Sequence, residues 1–324
     1  MKLASPEFVV SHRTIRAAYL LMLASSFAFA AMAACGHAVG QRMDWRLVAV
    51  ARAVTVLIFT LPLAKASGVR LIRRWPRTLW IRSITGSISM LLTFFALVHA
   101  GQISTTLTFT NTFPLWVTVL AWPMLAERPT LGVCFALISG VAGVVLIEQP
   151  WTGEIRWASL AALAAAFCTA VVMIGLNRLK NLDSLLIVVH FSAVATVICA
   201  SFTVLTAFRG QSLDLHSLAD GWNWLLLVGM GALATAGQIF MTIAFRSAPP
   251  QKLSLIALSQ VVFALGFDLG IWHRSIDLLT YAGIMLVLVP VAWLVGGRAL
   301  RLRKRLEIVQ SEPSFSEASS ATGM

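Results

Sequence analysis

The sequence predicts an all-α polytopic membrane protein with ten transmembrane helices, arranged as two inverted five-helix repeats. Of its 324 residues, 58% are hydrophobic and only 12% are charged, whereas a soluble domain carries about 25% charged residues. The apolar runs are about 20 residues long, the length that a helix needs to cross about 30 Å of hydrocarbon. Membrane-spanning strands would instead need short alternating segments. The second five apolar runs also repeat the order of features found in the first five.

Ten apolar runs, separated by polar segments, give the predicted helices. They cover residues 17–37, 46–64, 80–99, 104–125, 130–148, 157–176, 184–207, 223–245, 252–272 and 277–297. The boundary between the third and fourth helices depends on a polar step at Gly101–Gln102. Because five is an odd number of crossings, the second repeat (156–297) is expected to be inverted relative to the first (15–148), as in many transporters. Residues 307–324 lack apolar periodicity and are predicted to form a disordered cytoplasmic tail.

The net charge of +12 is distributed as a topology signal rather than as a nucleic-acid-binding patch. Nineteen of the 25 Lys and Arg residues, Arg82 among them, fall on the side that holds both ends of the chain. The other six are Arg42, Arg46, Arg52, Arg156, Arg209 and Arg274. Since cytoplasmic segments are enriched in positive residues, both termini are predicted to be cytoplasmic, in a multi-pass protein of the inner (plasma) membrane. The expected partner of these charges is the lipid bilayer, with its anionic head groups, and not nucleic acid.

No sequence motif points to a metal, a cofactor or an enzyme. Cys35, Cys134, Cys168 and Cys199 lie in apolar runs and have neither metal-ligand spacing nor the pattern of a disulfide framework. The chain lacks a His-Glu-x-x-His metal motif and a Gly-x-Ser-x-Gly nucleophile turn. The predicted loops are also too short to form a separate catalytic domain. We therefore expect no cofactor, no bound metal and no enzymatic activity.

The two halves share an order of features. In the first half these are the Ala-containing turn Ala96–Gly101, then Pro114, the cluster Ala126–Arg128 and Gly140. In the second half the corresponding segments are Ala244–Pro249, Leu258–Phe263, Trp272–Ser275 and Tyr281–Gly283. The order is kept although the residue identities have diverged, which indicates an internal repeat.

Together with Arg52 near the start of the second helix, these motifs resemble the drug/metabolite transporter (DMT) superfamily, and within it the EamA-type transporters. The resemblance covers residues from about 15 to 297 and implies export or exchange of small metabolites without ATP. The second half departs from the family pattern, with Val261 or Val262 in place of a proline and His273 or Arg274 in place of a glutamate. The second half therefore cannot use that glutamate as the first half could use Glu127.

Seven residues are predicted to line a solute cavity. They are Thr108, Asn111, Pro114 and Trp116 of the fourth helix, Gln238 of the eighth, and Ser259 and Gln260 of the ninth. A side chain such as Asn111 would lack hydrogen-bond partners if it faced lipid, so it should face other helices or a wet cavity. Pro114 removes a backbone hydrogen bond and frees a carbonyl that could bind solute or only kink the helix. The alternative for the polar residues is hydrogen bonding between helices.

Four further residues are candidates for coupling or gating. Arg52 and Asp268 are ionisable residues inside predicted spans, where charge is costly and often functional, although they could instead pair with each other or reach the interface. Asp268, within Gly266–Gly270, a spacing that allows close helix packing, is the first choice for proton coupling. His99 is a plausible proton carrier or a packed residue, and Glu127 is expected at a helix end.

The leading functional prediction is a secondary transporter of a small-molecule solute that works by alternating access, with a cavity lined by helices such as the fourth and the ninth. An integral-membrane enzyme, a channel or a structural membrane protein are the alternatives. The absence of a dense charged cluster favours a neutral, aromatic or zwitterionic solute. The solute's identity, the direction of transport, the coupling ion and the choice between monomer and homodimer stay open.

Overall fold

The computed structural model describes residues 12–69, 75–99, 103–149, 151, 157–209, 220–272 and 277–293. Over these residues the chain is helical and contains no strand, which confirms the all-α class. The predicted boundary at Gly101–Gln102 and the predicted tail at 307–324 lie outside the described residues.

In chain order the described helices are α1 (His12–Gly40), α2 (Trp45–Ala66), α3 (Arg77–His99), α4 (Ile103–Thr110), α5 (Phe113–Leu125), α6 (Leu131–Glu148), α7 (Trp157–Arg178), α8 (Ser184–Phe208), α9 (Gly221–Ser247), α10 (Pro250–Ala257), α11 (Ser259–Trp272) and α12 (Leu278–Trp293). Within the described ranges, seven helical stretches are long and apolar enough to cross a membrane: α1, α2, α3, α7, α8, α9, and α10 together with α11. Shorter apolar helices form α6 and α12. The protein is therefore a multi-pass membrane protein.

Two predicted helices are wrong as continuous elements. The predicted helix 104–125 is two helices, α4 and α5, separated by a turn at Asn111–Thr112. Pro114 lies in the first turn of α5, where its missing amide costs no intrahelical hydrogen bond, so it starts a helix rather than kinking one. The predicted helix 252–272 is likewise divided into α10 and α11 by a turn at Leu258.

The polar segments between the apolar runs set several helix starts through side-chain caps. In four of them an Asp or Thr side chain accepts a hydrogen bond from an amide of the first turn. These caps are Asp44 for α2, Thr130 for α6, Asp183 for α8 and Asp220 for α9. Each cap satisfies an amide that the helix itself cannot pair. The predicted starts of these helices consequently lie within a few residues of the observed ones.

The helices pack across the two halves of the chain. α1 packs against α9, and α3 packs against α7. α2 packs against α3, α8 and α9, and α8 also packs against α3 and α9. We call α2, α3, α8 and α9 the central four-helix group. Outside this group, α5 packs against α7 and α10, while α1 packs against α10 and α11.

α6 and α12 approach each other through glycines. A Cβ atom added to Gly143 would lie 2.7 Å from the Gly283 carbonyl oxygen, and one added to Gly283 would lie 2.6 Å from the Gly143 carbonyl oxygen. Only glycine allows backbones this close. We call this contact the glycine crossing. The spacing at Gly266–Gly270, which would allow such an approach, is not used for one among the described residues, because none of their atoms lies within 4 Å of a Cβ added to either glycine.

Candidate functional site

A small cavity lies inside the central four-helix group. Its apolar lining consists of Ala53, Val56, Met90, Phe191 and Ala195. Its polar lining consists of Arg52, Ser192 and Gln238. Its free volume is only about 10 Å³, enough for about one water molecule and far below the roughly 300–1,000 Å³ of most ligand pockets. The cavity therefore has room for a small organic molecule only if its walls move apart.

The polar lining lies well inside the helices. Arg52 is the eighth of the 22 residues of α2, which places it about 10 Å from the helix start at 1.5 Å per residue. Gln238 lies nine residues before the end of the 27-residue helix α9, about 14 Å from that end. Both positions are at the depth of hydrocarbon, where a charged side chain marks a cavity or a solute pathway.

Arg82 of α3 contacts two residues of the cavity lining. Its Nη2 donates a hydrogen bond to Oε1 of Gln238 at 3.4 Å, and its Cζ lies 4.3 Å from the ring centroid of Phe191, within cation–π distance. The side chain is only 1% exposed. Its Nε and Nη1 have no hydrogen-bond partner among the described residues. A fully buried guanidinium thus has a single long hydrogen bond and a ring contact.

The central four-helix group contains no acid to neutralise these two arginines. None of its four helix sequences includes Asp or Glu. Salt bridges among the described residues join Arg46 to Asp44 at 2.6 Å and Arg42 to Asp220 at 3.9 Å, near helix starts rather than at the cavity. The region of the cavity therefore has an excess of positive charge, and an uncompensated buried charge costs several kcal/mol.

His190 of α8 lies close to Arg82 and is also buried. Its Nδ1 lies 2.8 Å from the Ser83 hydroxyl oxygen. The rings of Trp75 and Trp80 lie 4.5 Å and 4.6 Å from the imidazole. Its Nε2 has no hydrogen-bond partner in the described part of the chain. The region therefore contains a third ionisable side chain, whose Nε2 is available to a solute.

Of the predicted site residues, the structure brings Arg52 and Gln238 together at this cavity. The lining contains no residue of α4, α5, α10 or α11, the helices expected to line it. Pairing with Asp268 is one of the alternatives that the sequence leaves open for Arg52. Asp268 lies on α11, which packs against α1, whereas Arg52 lies in the central four-helix group.

The predicted residues of the fourth span lie around the α4–α5 turn. Thr108 is buried, and its hydroxyl has no partner among the described residues. Asn111 donates its Nδ2 hydrogen bond to the Leu107 carbonyl at 2.8 Å, within its own helical segment. Pro114 is buried in the first turn of α5. Trp116 packs edge-to-face on Phe167 of α7, with ring centroids 5.6 Å apart.

The predicted residues of the ninth span lie on α11. Ser259 is buried at the start of the helix, and its hydroxyl lacks a partner in the described ranges. Gln260, the next residue, is half-buried. Asp268 is half-buried further along the same helix. Whether these residues contact solute stays a prediction.

The remaining two candidates lie at helix ends. His99 is exposed at the end of α3, where its Nδ1 donates to the Phe95 carbonyl at 2.8 Å and its ring stacks on that of Phe95. Glu127 is half-buried in the segment between α5 and α6, and its backbone carbonyl accepts a hydrogen bond from Gln251 at 3.0 Å. Both environments favour local structural roles.

Sequence reasoning missed Arg82. Its position near the start of the third apolar run led to its assignment to the cytoplasmic surface. The available signal was its spacing, because Arg82 follows Arg77 by five residues and so begins the second turn of α3. Ile81 and Ile84, close to Arg82 in the sequence, are apolar, as expected for a turn within the membrane.

The sequence matches the model of the EamA-like transporter family twice, over residues 16–149 and 156–296. These two stretches cover most of the 324 residues. The chain belongs to the EamA-like transporter family. This agrees with the resemblance found in its motifs and gives the cavity a functional context.

Several characterised transporters are similar to the chain. The pseudopaline exporter CntI of Pseudomonas aeruginosa is 23% identical over 282 residues, which is 85% of this chain and 94% of the exporter. The riboflavin transporter of Vibrio cholerae is 24% identical, over 71% of this chain and 76% of that protein. A solved crystal structure shares the fold, with a TM-score of 0.73 at 17% identity, over 86% of this chain and 97% of that one.

Family membership and these relatives make the protein a membrane transporter of small solutes. Secondary transport needs no bound metal. In the described ranges, no three His, Cys, Asp or Glu side chains are grouped closely enough to hold one. What the site offers chemically is binding, through guanidinium, amide and hydroxyl groups within apolar walls.

Proposed function

We propose that this EamA-like transporter moves its solute by alternating access, with two inverted five-helix repeats that rock around the cavity in the central four-helix group. The observation that carries the proposal is that both halves of the chain contribute residues to the cavity lining. Arg52 and Met90 come from α2 and α3 of the first half, whereas Phe191 and Gln238 come from α8 and α9 of the second half. A site shared by two halves changes its access when the halves move relative to each other.

The packing pattern supports a two-fold relation between residues 15–148 and 156–297. If α1, α2 and α3 correspond to α7, α8 and α9, the α1–α9 contact corresponds to α7–α3, and both contacts are present. The α2–α9 contact likewise corresponds to α8–α3, and both are again present. The α2–α8 contact corresponds to itself. The two family-model matches begin and end close to the same limits.

The interrupted helices and the glycine crossing support the same relation. α4 and α10 each contain 8 residues, and the helices that follow them, α5 and α11, contain 13 and 14 residues. Each pair would form one interrupted span, giving ten spans in total. At the glycine crossing, Gly143 meets Gly283 reciprocally, as residues related by a two-fold axis do.

The orientation follows from charge. The excess of Lys and Arg on the side of both chain ends supports cytoplasmic termini in the inner membrane. Export is the proposed direction, since CntI is named as an exporter, with exchange as the other mode. The named relatives are transporters, which supports a protein that leaves its solute chemically unchanged.

A transport assay tests the proposal. The purified protein is reconstituted in proteoliposomes, and labelled solutes from a metabolite panel are followed by counterflow. We expect saturable accumulation of at least one solute that is recovered unchanged. Chemical conversion of the solute would indicate an enzyme, and single-channel currents far above carrier turnover would indicate a channel; either result contradicts the proposal.

Proton coupling through Asp268 is a further part of the proposal. This residue is half-buried on α11, a helix that packs against α1 and would move with the repeats. Asp268→Asn should abolish pH-driven transport while solute binding is retained. Loss of binding together with transport would instead assign Asp268 to packing.

A further inference from the structure

We infer that the cavity binds an anionic group of the solute, a carboxylate or a phosphate, at Arg52 of its lining, with the buried Arg82 as a second cation that contacts this lining. This rests on the proposed function, because it takes the cavity to be the solute site. It names the class of solute, a small organic anion with an apolar body, which neither the family nor the named relatives assign to this chain.

The first argument is charge. Arg52 lines the cavity, and Arg82 contacts both Gln238 and Phe191 of its lining. The helices that surround them carry no acidic residue. One cation in the lining and a second in contact with it, without an acid on the surrounding helices, are best compensated by a negative charge from the solute.

The second argument is the hydrogen bonding of Arg82, compared with that of a structural arginine in the same protein. Arg246 donates to the carbonyl oxygens of Leu179 at 3.2 Å and Lys180 at 2.6 Å, and also to the Ser184 hydroxyl. Its guanidinium ties α9 to the segment before α8. Arg82 is fully buried, yet its Nε and Nη1 have no partner among the described residues. Buried N–H donors without an acceptor are expected where a ligand supplies the acceptor.

The third argument is the chemistry of the lining. A guanidinium presents a planar fork of N–H donors that matches carboxylate and phosphate oxygens. The Nε2 amide of Gln238 is a further donor at the same cavity, whereas the Ser192 hydroxyl already donates to the Val189 carbonyl at 3.0 Å. Met90 and Phe191 supply an apolar wall, suited to an aliphatic or aromatic body. The expectation of a neutral, aromatic or zwitterionic solute rested on the absence of a charged cluster in the sequence. Arg52 in the lining and Arg82 in contact with it reverse that expectation.

The first test uses the unmodified protein in nanodiscs and requires no variant. Its melting temperature is measured with phenylacetate, phenyl phosphate and the neutral isostere phenylacetamide at millimolar concentration. We expect one or both anions to raise the melting temperature by about 2 °C or more, and the amide to leave it unchanged. The anion with the larger shift identifies carboxylate or phosphate recognition. Equal shifts with the amide, or no shift with either anion, would overturn the inference.

The second test locates the binding. Arg52→Gln should weaken the apparent affinity for the stabilising anion about 10-fold or more, the usual effect of losing a charge-assisted contact. Arg52→Lys should restore part of it, because charge is kept while the fork is lost. The matched control is Arg42→Gln, which removes an exposed arginine paired with Asp220 and should bind like the unmodified protein. Unchanged binding by Arg52→Gln would overturn the inference.

Counterflow with the same three probes separates this inference from the proposed function. Transport of the anions, lost in Arg52→Gln, supports both. Transport of the neutral amide without the anions overturns the inference and leaves alternating-access transport standing. Anion binding that depends on Arg52 but is not followed by transport supports the inference and counts against the proposed function.

Discussion

The central four-helix group and the glycine crossing are two contacts between the same halves, built in opposite ways. In the central group, large side chains such as Arg82 and Phe191 contact each other between the helices, and some of the group's polar atoms have no partner among the described residues. At the glycine crossing, backbone meets backbone, with no side chain between Gly143 and Gly283. In a bilayer the hydrophobic effect does not drive apolar helix surfaces together, so helices associate through close van der Waals packing. We therefore assign the glycine crossing to holding the two halves together and the central four-helix group to binding the solute.

The free-energy cost of burying arginines in the central four-helix group is consistent with a functional role for this group and a structural role for the glycine crossing. A buried arginine without a counter-charge destabilises the protein that contains it. Such a cost is retained where function requires it. The glycine crossing carries no comparable polar cost, and its close approach contributes van der Waals contacts.

The largest expected effect is in the central group. Arg82→Met should raise the free energy of unfolding by about 1 kcal/mol or more, because an uncompensated buried charge is removed, while anion transport falls at least about 10-fold. Melting of the purified protein and proteoliposome counterflow measure the two quantities. A rise in stability together with a fall in transport would show that Arg82 serves solute transport rather than packing.

The control for this variant is Arg246→Met. Arg246 is tied to Leu179, Lys180 and Ser184, so its removal should lower stability by leaving those acceptors without a donor. If Arg82→Met lowered the melting temperature as much as Arg246→Met does, Arg82 would be structural as well, and the comparison would fail.

The next effect is at the glycine crossing. Gly143→Ala would place a Cβ 2.7 Å from the Gly283 carbonyl oxygen and 2.9 Å from a Val287 methyl, which should cost about 1–3 kcal/mol of stability. Gly270→Ala is the matched control, because its Cβ meets no described neighbour, and it should be neutral or slightly stabilising. Equal melting temperatures for the two variants would show that the crossing does not hold the halves.

A smaller effect is expected at the C-terminal ends of α7 and α9. Asn177 is buried and donates to the carbonyls of Phe245 at 3.0 Å and Ala248 at 3.2 Å. Asn177→Ala should cost about 1 kcal/mol of stability and leave solute affinity unchanged. Asn111→Ala, which removes a bond to its own helical segment, should cost less. A change in solute affinity with Asn177→Ala would show that the hydrogen bonds of Asn177 also contribute to solute binding.

The smallest effect concerns pH. The hydrogen bond from the Arg46 side chain lowers the pKa of Asp44 below its ordinary value. Its folded pKa is thus below that of the unfolded chain, so its contribution is present above about pH 4 and lost as the pH falls through the folded pKa. Asp44→Asn should lower stability by a few tenths to about 1 kcal/mol at pH 7, with a smaller difference near pH 3. A difference that did not shrink would assign the effect to lost packing.

Much of the fold could be predicted from the sequence, since hydrophobic length and capping residues are local signals. The start of α8 after Asp183 and of α9 after Asp220 follow from such signals. The breaks at Asn111–Thr112 and Leu258 were missed because one or two turn residues barely change the hydropathy of a 20-residue run. Only the polar density around Asn111 hinted at the first of them.

The candidate site was predicted only in part, for a different physical reason. Arg52 and Gln238 were recognised as polar residues inside spans, but their meeting depends on α2 packing against α9, and no local pattern encodes that contact. Arg82 lies close enough to a predicted span end to pass for an interface residue. Its burial results from α3 packing against α7 and α8.

The central claim is that two oppositely oriented repeats enclose the cavity, and labelling of single cysteines tests it most directly. In a variant without the four native cysteines, Thr152→Cys marks the connector between the repeats and Ser316→Cys marks the C-terminal segment. A membrane-impermeant thiol reagent applied to intact spheroplasts should label Thr152→Cys and should reach Ser316→Cys only after permeabilisation. Labelling of both positions from the same side would contradict the account.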